Sequence, residues 1–245
     1  VTTAAEVKDA LAAIANADDA LFLQRFFKTG PGQYGEGDVF IGVRVPQTRA
    51  VAKRFVGLPL TELGVLLDSE VHEHRLAGLI VLNDAFARAS APRTFDAAAR
   101  DEYAAFYVDA VRRGRVNNWD LVDASAEFVL GPFLWDRPRD LLFELSASPV
   151  LWERRVAVLS TFAFIRRGDA STTLALAERL LDDPEDLMHK AVGWMLREIG
   201  KRVDRELLTG FLDEHAGRMP RTMLSYATEH LDPASRARYR AMPRR

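Results

Sequence analysis

Apolar residues return every third or fourth position along almost the whole chain, a period that predicts α-helices throughout. From 101 to 113, Tyr103, Phe106, Tyr107, Ala110 and Val111 form one apolar stripe, and 151–165, 186–199 and 203–212 repeat the pattern. Glycines and prolines punctuate these runs at Gly114, Gly131, Pro132, Pro138, Pro149, Gly168, Pro184, Gly200, Gly217 and Pro233, where helix stops are expected. The prediction is an all-α chain of helices about 10 to 18 residues long, joined by tight loops. One segment departs from it. Residues 29–46 read TGPGQYGEGDVFIGVRVP, with five glycines and no helical period. This is either a long loop or a small extended excursion through 39–45, and either a functional element or a surface linker.

A looser pattern sits above the helices. A basic residue followed by small or apolar ones opens a predicted helix at Arg75, Arg155, Lys190 and Arg221. With Trp119 placed between the first two, the intervals are 44, 36, 35 and 31 residues. That spacing suits two-helix repeats stacked side by side, about six in all, as a single repeat domain over 1–245. Helices opening on these residues would line one surface, with their free N–H groups directed at anything bound there.

Composition narrows the class. At 245 residues, 48% hydrophobic and 28% charged, the chain is folded rather than disordered. It contains no cysteine, which excludes disulfides, thiol catalysis and cysteine-ligated zinc. Even the apolar run 77–82 is far too short to span a membrane. Residues 1–15 carry Glu6, Lys8 and Asp9 inside an amphipathic pattern, unlike a secretory signal, so a cytoplasmic protein with no membrane partner is expected. The formal net charge of −2 gives no global basic field. Binding an anionic polymer would require a local one, and 28 of the 33 basic residues are arginine, the better phosphate fork.

The candidate chemistry lies in three segments. In NNWDLVD at 117–123, Asn118 caps a helix, Trp119 opens it and Asp123 follows at i+4, which puts indole and carboxylate on one face. LWERRVA at 151–157 and HKAVGWMLRE at 189–198 add Trp152, Arg154, Arg155, Lys190, Trp194 and Arg197. Together these groups suit holding an anionic polymer while stabilising a cationic sugar. Singly, each has an ordinary reading: Asn118 as a cap, Asp120 facing the helix dipole, Trp152 and Trp194 as core. His72, Glu73 and His74 look like a metal motif, but helical residues two apart point about 200° away from each other, so a polar helix start is expected. GPGQYGEG fits neither nucleotide fingerprint. Arg236, Arg238, Arg240, Arg244 and Arg245 either supplement anion binding or form a solvated tail.

These segments resemble the bacterial DNA alkylation repair glycosylases of the AlkD family. NNWDLVD, LWERRVAVL at 151–159, HKAVGWMLRE and MPRTMLSYA at 219–227 carry the likeness, which extends from about residue 20 onward. The resemblance implies an α-α superhelix, a C-shaped solenoid of HEAT-like repeats whose concave basic groove holds double-stranded DNA. A nucleoid-associated monomer is expected, needing no cofactor and no metal because the sequence offers no site for either. Members excise N3- and N7-alkylated purines without flipping the damaged nucleotide into a pocket, unlike most glycosylases. By motif, the family's catalytic aspartate falls on Asp123, its sugar-facing tryptophans on Trp119 and Trp194, and its groove arginine on Arg155. Arg154, Lys190, Arg197, Trp152, Phe26 and Arg221 are the further expected DNA contacts. The family's early tyrosine aligns with Phe26, which lacks the hydroxyl. An aromatic pair ahead of the 189–198 motif is replaced by Asp186 and Leu187. The segment 29–46 is longer than in the best-known member and is expected at the DNA or the groove rim.

The chemistry is consistent with that assignment. An N3- or N7-alkylated purine is already cationic, so its glycosidic bond breaks toward a neutral base and an oxocarbenium-like sugar without a general acid. Asp123 would stabilise the sugar cation and orient water. Indole faces at Trp119 and Trp194 would add roughly 1–2 kcal/mol each where water is excluded. Arg155 would hold the phosphate beside the lesion. Two other readings stay open: a non-catalytic binder of damaged or branched DNA, and a repeat scaffold that binds no nucleic acid.

Overall fold

The computed structural model describes residues 2–243, so Arg244 and Arg245 of the basic tail lie outside it. The fold is all-helical, as the period predicts. Among the described residues no strand forms, and one bridge pairs Val39 with Val71. The chain divides into two compact units, Val1–Leu130 and Gly131–Arg245. Among the described residues no helix is long and apolar enough to cross a membrane.

The first unit contains α1 (Ala4–Ala12), α2 (Ala17–Gln24), α3 (Val45–Ala52), α4 (Leu60–Leu67), α5 (His72–Ser90), α6 (Ala97–Arg112) and α7 (Trp119–Asp123). Its hub is α5, buried on every face from Leu76 to Leu82 and packed against α1, α3, α4, α6 and α7. A helix that is apolar all round belongs inside a core, where each large side chain contributes about 1.5–3 kcal/mol. By contrast α2 buries none of its residues.

A four-residue helix, α8 (Leu130–Phe133), occupies the expected stop at Gly131 and Pro132. The second unit continues with α9 (Asp140–Ser146), α10 (Leu151–Ser160), α11 (Phe162–Ile165), α12 (Ser171–Arg179), α13 (Asp186–Arg202), α14 (Arg205–His215), α15 (Arg221–Ala227) and α16 (Pro233–Ala241). Here α13 is the hub, packed against α10, α11, α12, α14 and α15.

Three details depart from the sequence-based expectation. The run 151–165 is split at Thr161, where two hydroxyls compete for helix carbonyls: Ser160 Oγ donates to Val156 O at 2.7 Å and Thr161 Oγ1 to Val158 O at 2.6 Å. Gly200 is not a stop; it lies inside α13, where a Cβ would sit 2.5 Å from Leu208 Cδ2, so its absence lets α14 close up. Finally, Arg75, Arg155 and Lys190 do not open their helices. These start about a turn earlier, after extended Val71, Val150 and Glu185, and only Arg221 is a first helical residue. The expected row of N-terminal N–H groups beside these cations is therefore absent at three of the four positions.

Candidate active site

The motif helix α7 is only five residues long, too short to stand without tertiary support. Asn118 caps it as expected, in extended conformation, with Oδ1 accepting from Trp119 N at 2.9 Å. Trp119 and Asp123 are both half-buried. Together with Val45, Arg49, Leu76 and Asp120 they line an open cleft of about 220 Å³. The structure thus brings the predicted indole and carboxylate to one wall.

The support for α7 comes from the glycine-rich segment and from the start of α5. The lobe at 28–37 closes on itself: Gly35 N donates to Lys28 O at 2.8 Å, Gly30 N to Gln33 Oε1 at 2.9 Å and Gly32 N to Glu36 Oε2 at 2.7 Å. From Asp38 onward the chain is strapped to α5. Val39 N donates to Glu70 O at 3.1 Å and His72 N to Val39 O at 2.8 Å. The buried Glu73 carboxylate accepts from the N–H groups of Ile41, Gly42 and Val43 at 3.1, 2.8 and 3.3 Å. Gly42 is required here. Its φ is +78°, and a Cβ would lie 1.9 Å from Asn16 O.

A charged network runs beneath this strap. His72 Nε2 meets Asp120 Oδ2 at 2.7 Å and its Nδ1 faces Asp38 Oδ2 at 3.4 Å. Asp38 also receives Arg75 Nη2 at 2.5 Å and Asn118 Nδ2 at 2.8 Å. Burial opposes charge on His72, but the carboxylates of Asp120 and Asp38 outweigh it and raise its pKa to about 9. Burial likewise works against the Asp38 carboxylate, yet His72, Arg75 and Asn118 hold its pKa below the usual range. Rings enclose the network: Phe27 stacks on Trp119 at 5.3 Å and on Phe40 at 4.9 Å, and Phe40 stacks on His72 at 4.8 Å. A helix does start at His72, as expected, but its first two polar residues are covered, His72 and Glu73 being 3% and 2% exposed. His74 does point elsewhere, with Nδ1 at 2.9 Å from Ser69 Oγ. Burial and the nearby Lys8 and Arg75 depress its pKa to about 4.

In the second unit several expected contacts turn inward. Arg154 is buried, its guanidinium donating to Asp183 at 2.6 and 3.2 Å and to Ser148 O and Pro149 O at 3.0 Å. Arg155 is 4% exposed, and Nη1 donates to Leu187 O at 2.5 Å, tying α10 to the first turn of α13. Trp152 is buried. Arg154, Arg155 and Trp152, expected as DNA contacts, thus lie on a helix that is buried from Trp152 to Ser160 except at Glu153. Trp194 on α13 is half-buried, its ring edge-on to Phe162 at 5.8 Å. The preceding Gly193 has a steric reason, since a Cβ would lie 2.5 Å from Met223 O and 2.6 Å from Tyr226 Cβ. Lys190 is partly exposed and paired with Asp186 at 2.8 Å. Arg197 pairs with Glu229 and, at 3.2 Å, with Glu198. Arg221 is exposed, donating to Arg240 O at 3.0 Å.

Sequence reasoning missed Phe27, Phe40, Asp38, His72 and Arg49. Phe26, aligned with the family tyrosine, is 58% exposed, and its neighbour Phe27 holds the place against Trp119. The one available signal for His72 was the all-apolar run that follows it in α5. A helix buried on every face also covers its own polar start.

The family model for DNA alkylation repair enzymes matches residues 7–231. No sequence among curated proteins matches significantly. A solved structure described as a predicted DNA alkylation repair enzyme from Enterococcus faecalis has a TM-score of 0.65 at 17% identity, covering 89% of this chain and 97% of that one. The two share an all-helical α-α superhelical fold. With the family model covering nearly its whole length, the chain belongs to the DNA alkylation repair enzyme family, and its role is in the repair of alkylated DNA.

Proposed function

We propose that the protein is a DNA glycosylase that hydrolyses the N-glycosidic bond of cationic N3- or N7-alkylated purines in duplex DNA, within HEAT-like repeats and without base flipping. One observation carries the reading: the Trp119 indole and the Asp123 carboxylate, one turn apart, line the same open cleft. As the C1′–N9 bond breaks, its electron pair leaves with the base, which departs neutral. The sugar becomes cationic, and Asp123 stabilises it across the cleft while orienting water toward C1′ and accepting its proton. Trp119 faces the same charge, and Trp194 is carried over by motif as the second indole. An open cleft, rather than an enclosed pocket, suits a base left in its stack. Phe26, Arg49 and Arg221 are exposed, and with Lys190 they are the proposed DNA contacts.

The test is duplex DNA carrying one N7-methylguanine, incubated with the protein in EDTA and then cleaved with alkali at abasic sites. Strand breaks are expected at the lesion, and none at uracil or undamaged guanine, which leave as poor anions. Robust uracil excision would contradict the leaving-group argument. Tight binding with no excision of any cationic purine would instead support a non-catalytic binder of damaged DNA.

A further inference from the structure

The helix carrying Trp119 and Asp123 cannot set its own direction, and one stripe of α5 grips it at both ends. At its start, Asp120 meets His72 Nε2 at 2.7 Å. At its end, the carbonyl of Ala124, left over where the helix stops, accepts from Asn83 Nδ2 at 2.7 Å. His72 and Asn83 are separated by three turns of α5, so they lie within about 20° of one another on a single face. Leu76, one turn after His72, lines the cleft itself. We infer that His72 and Asn83 are positioning residues for excision, acting through Asp120 and the Ala124 carbonyl to aim α7 at the reacting sugar.

His72 suits this task for a second reason. Its other nitrogen faces Asp38, which is also held by Arg75 and Asn118, and Asn118 is the cap of α7. The charged groups around the ring are Asp120 from α7, Asp38 from the strapped segment and Arg75 from α5 itself. An imidazolium between the two carboxylates ties the glycine-rich strap and α7 to the same point. Glutamine at 72 would keep polarity but would lose the charge and one of the two directed bonds.

This inference rests on the proposed glycosylase reading, and the experiment separates the two. Single-turnover excision of N7-methylguanine is measured for wild type, His72→Gln, Asp120→Asn and the double variant, with DNA affinity alongside. Misaiming of about 1 Å costs on the order of 100-fold in rate, so each single variant is expected to lose roughly 10- to 100-fold while affinity changes less than about threefold. Because His72 acts through Asp120, the double variant is expected to be no slower than the worse single one. Multiplying losses, or wild-type rates in His72→Gln, would overturn the inference. Hydrogen exchange provides an arm that needs no catalysis: His72→Gln and Asn83→Ala are each expected to speed exchange at Trp119–Asp123. Unchanged exchange overturns the positioning role, whereas an inactive wild type overturns only the glycosylase reading.

Discussion

Two residues on different units define the finest scale. Asp123 shares the cleft with Trp119, and its proposed work is electrostatic. Asp123→Asn keeps the shape and removes the charge, so DNA affinity is expected within about twofold of wild type while single-turnover excision falls roughly 100- to 1000-fold. Excision at the wild-type rate would reduce Asp123 to a helix residue. Arg155 shows the opposite logic. Its guanidinium is 4% exposed and donates to Leu187 O, so its first role is to hold α10 against α13. Arg155→Ala is expected to cost about 1–3 kcal/mol of stability, seen as a lower melting temperature, and to leave the salt dependence of DNA binding unchanged. A slope smaller by about one phosphate's worth would return Arg155 to the DNA surface.

At the scale of elements, the junction of α5, α7 and the strap makes stability depend on pH. The folded His72 pKa, about 9, lies above its ordinary 6.5. The stabilisation is therefore complete below 6.5 and lost as pH rises through 9, an effect of about 3 kcal/mol. Asp38 is shifted the other way, so its contribution is present above the ordinary carboxylate value of 3.8 and lost as pH falls. Thermal melts are expected to peak between these limits and to decline toward pH 9, and His72→Gln should flatten that alkaline decline. A wild-type curve level from pH 6.5 to 9.5 would mean that His72 is buried neutral. Much of α7 was legible in the sequence because its signals are local: a cap at Asn118, an indole beside it and a carboxylate one turn on. The partners that hold it were not. His72 is 48 residues from Asp120, and Asp38 is 80 from Asn118, distances over which no periodicity speaks.

At the scale of the whole molecule, the all-helical character was legible because every long run keeps the same period. What the period did not reveal is which polar residues a fully buried helix encloses. α10 carries Arg154 and Arg155 in the middle of an apolar pattern, and only Asp183, 29 residues from Arg154, reveals one of them as an internal ion pair. The segment 29–46 had no period to read, and its course is dictated by the Glu73 carboxylate gathering three of its amides.

That course divides the segment into a half fastened to α5 and a half closed by its own bonds and those to Gln24 and Phe26. Gly35, in the second, runs beside Asn118, where a Cβ would lie 3.6 Å from Nδ2. Lengthening a loop is cheap, about 0.6 kcal/mol for each doubling. Residues spliced in at Gly32, which has open space around it, would leave the register of Asp38 and Phe40 untouched. The lobe is thus a natural graft point, where added length need not disturb the packing that holds α7.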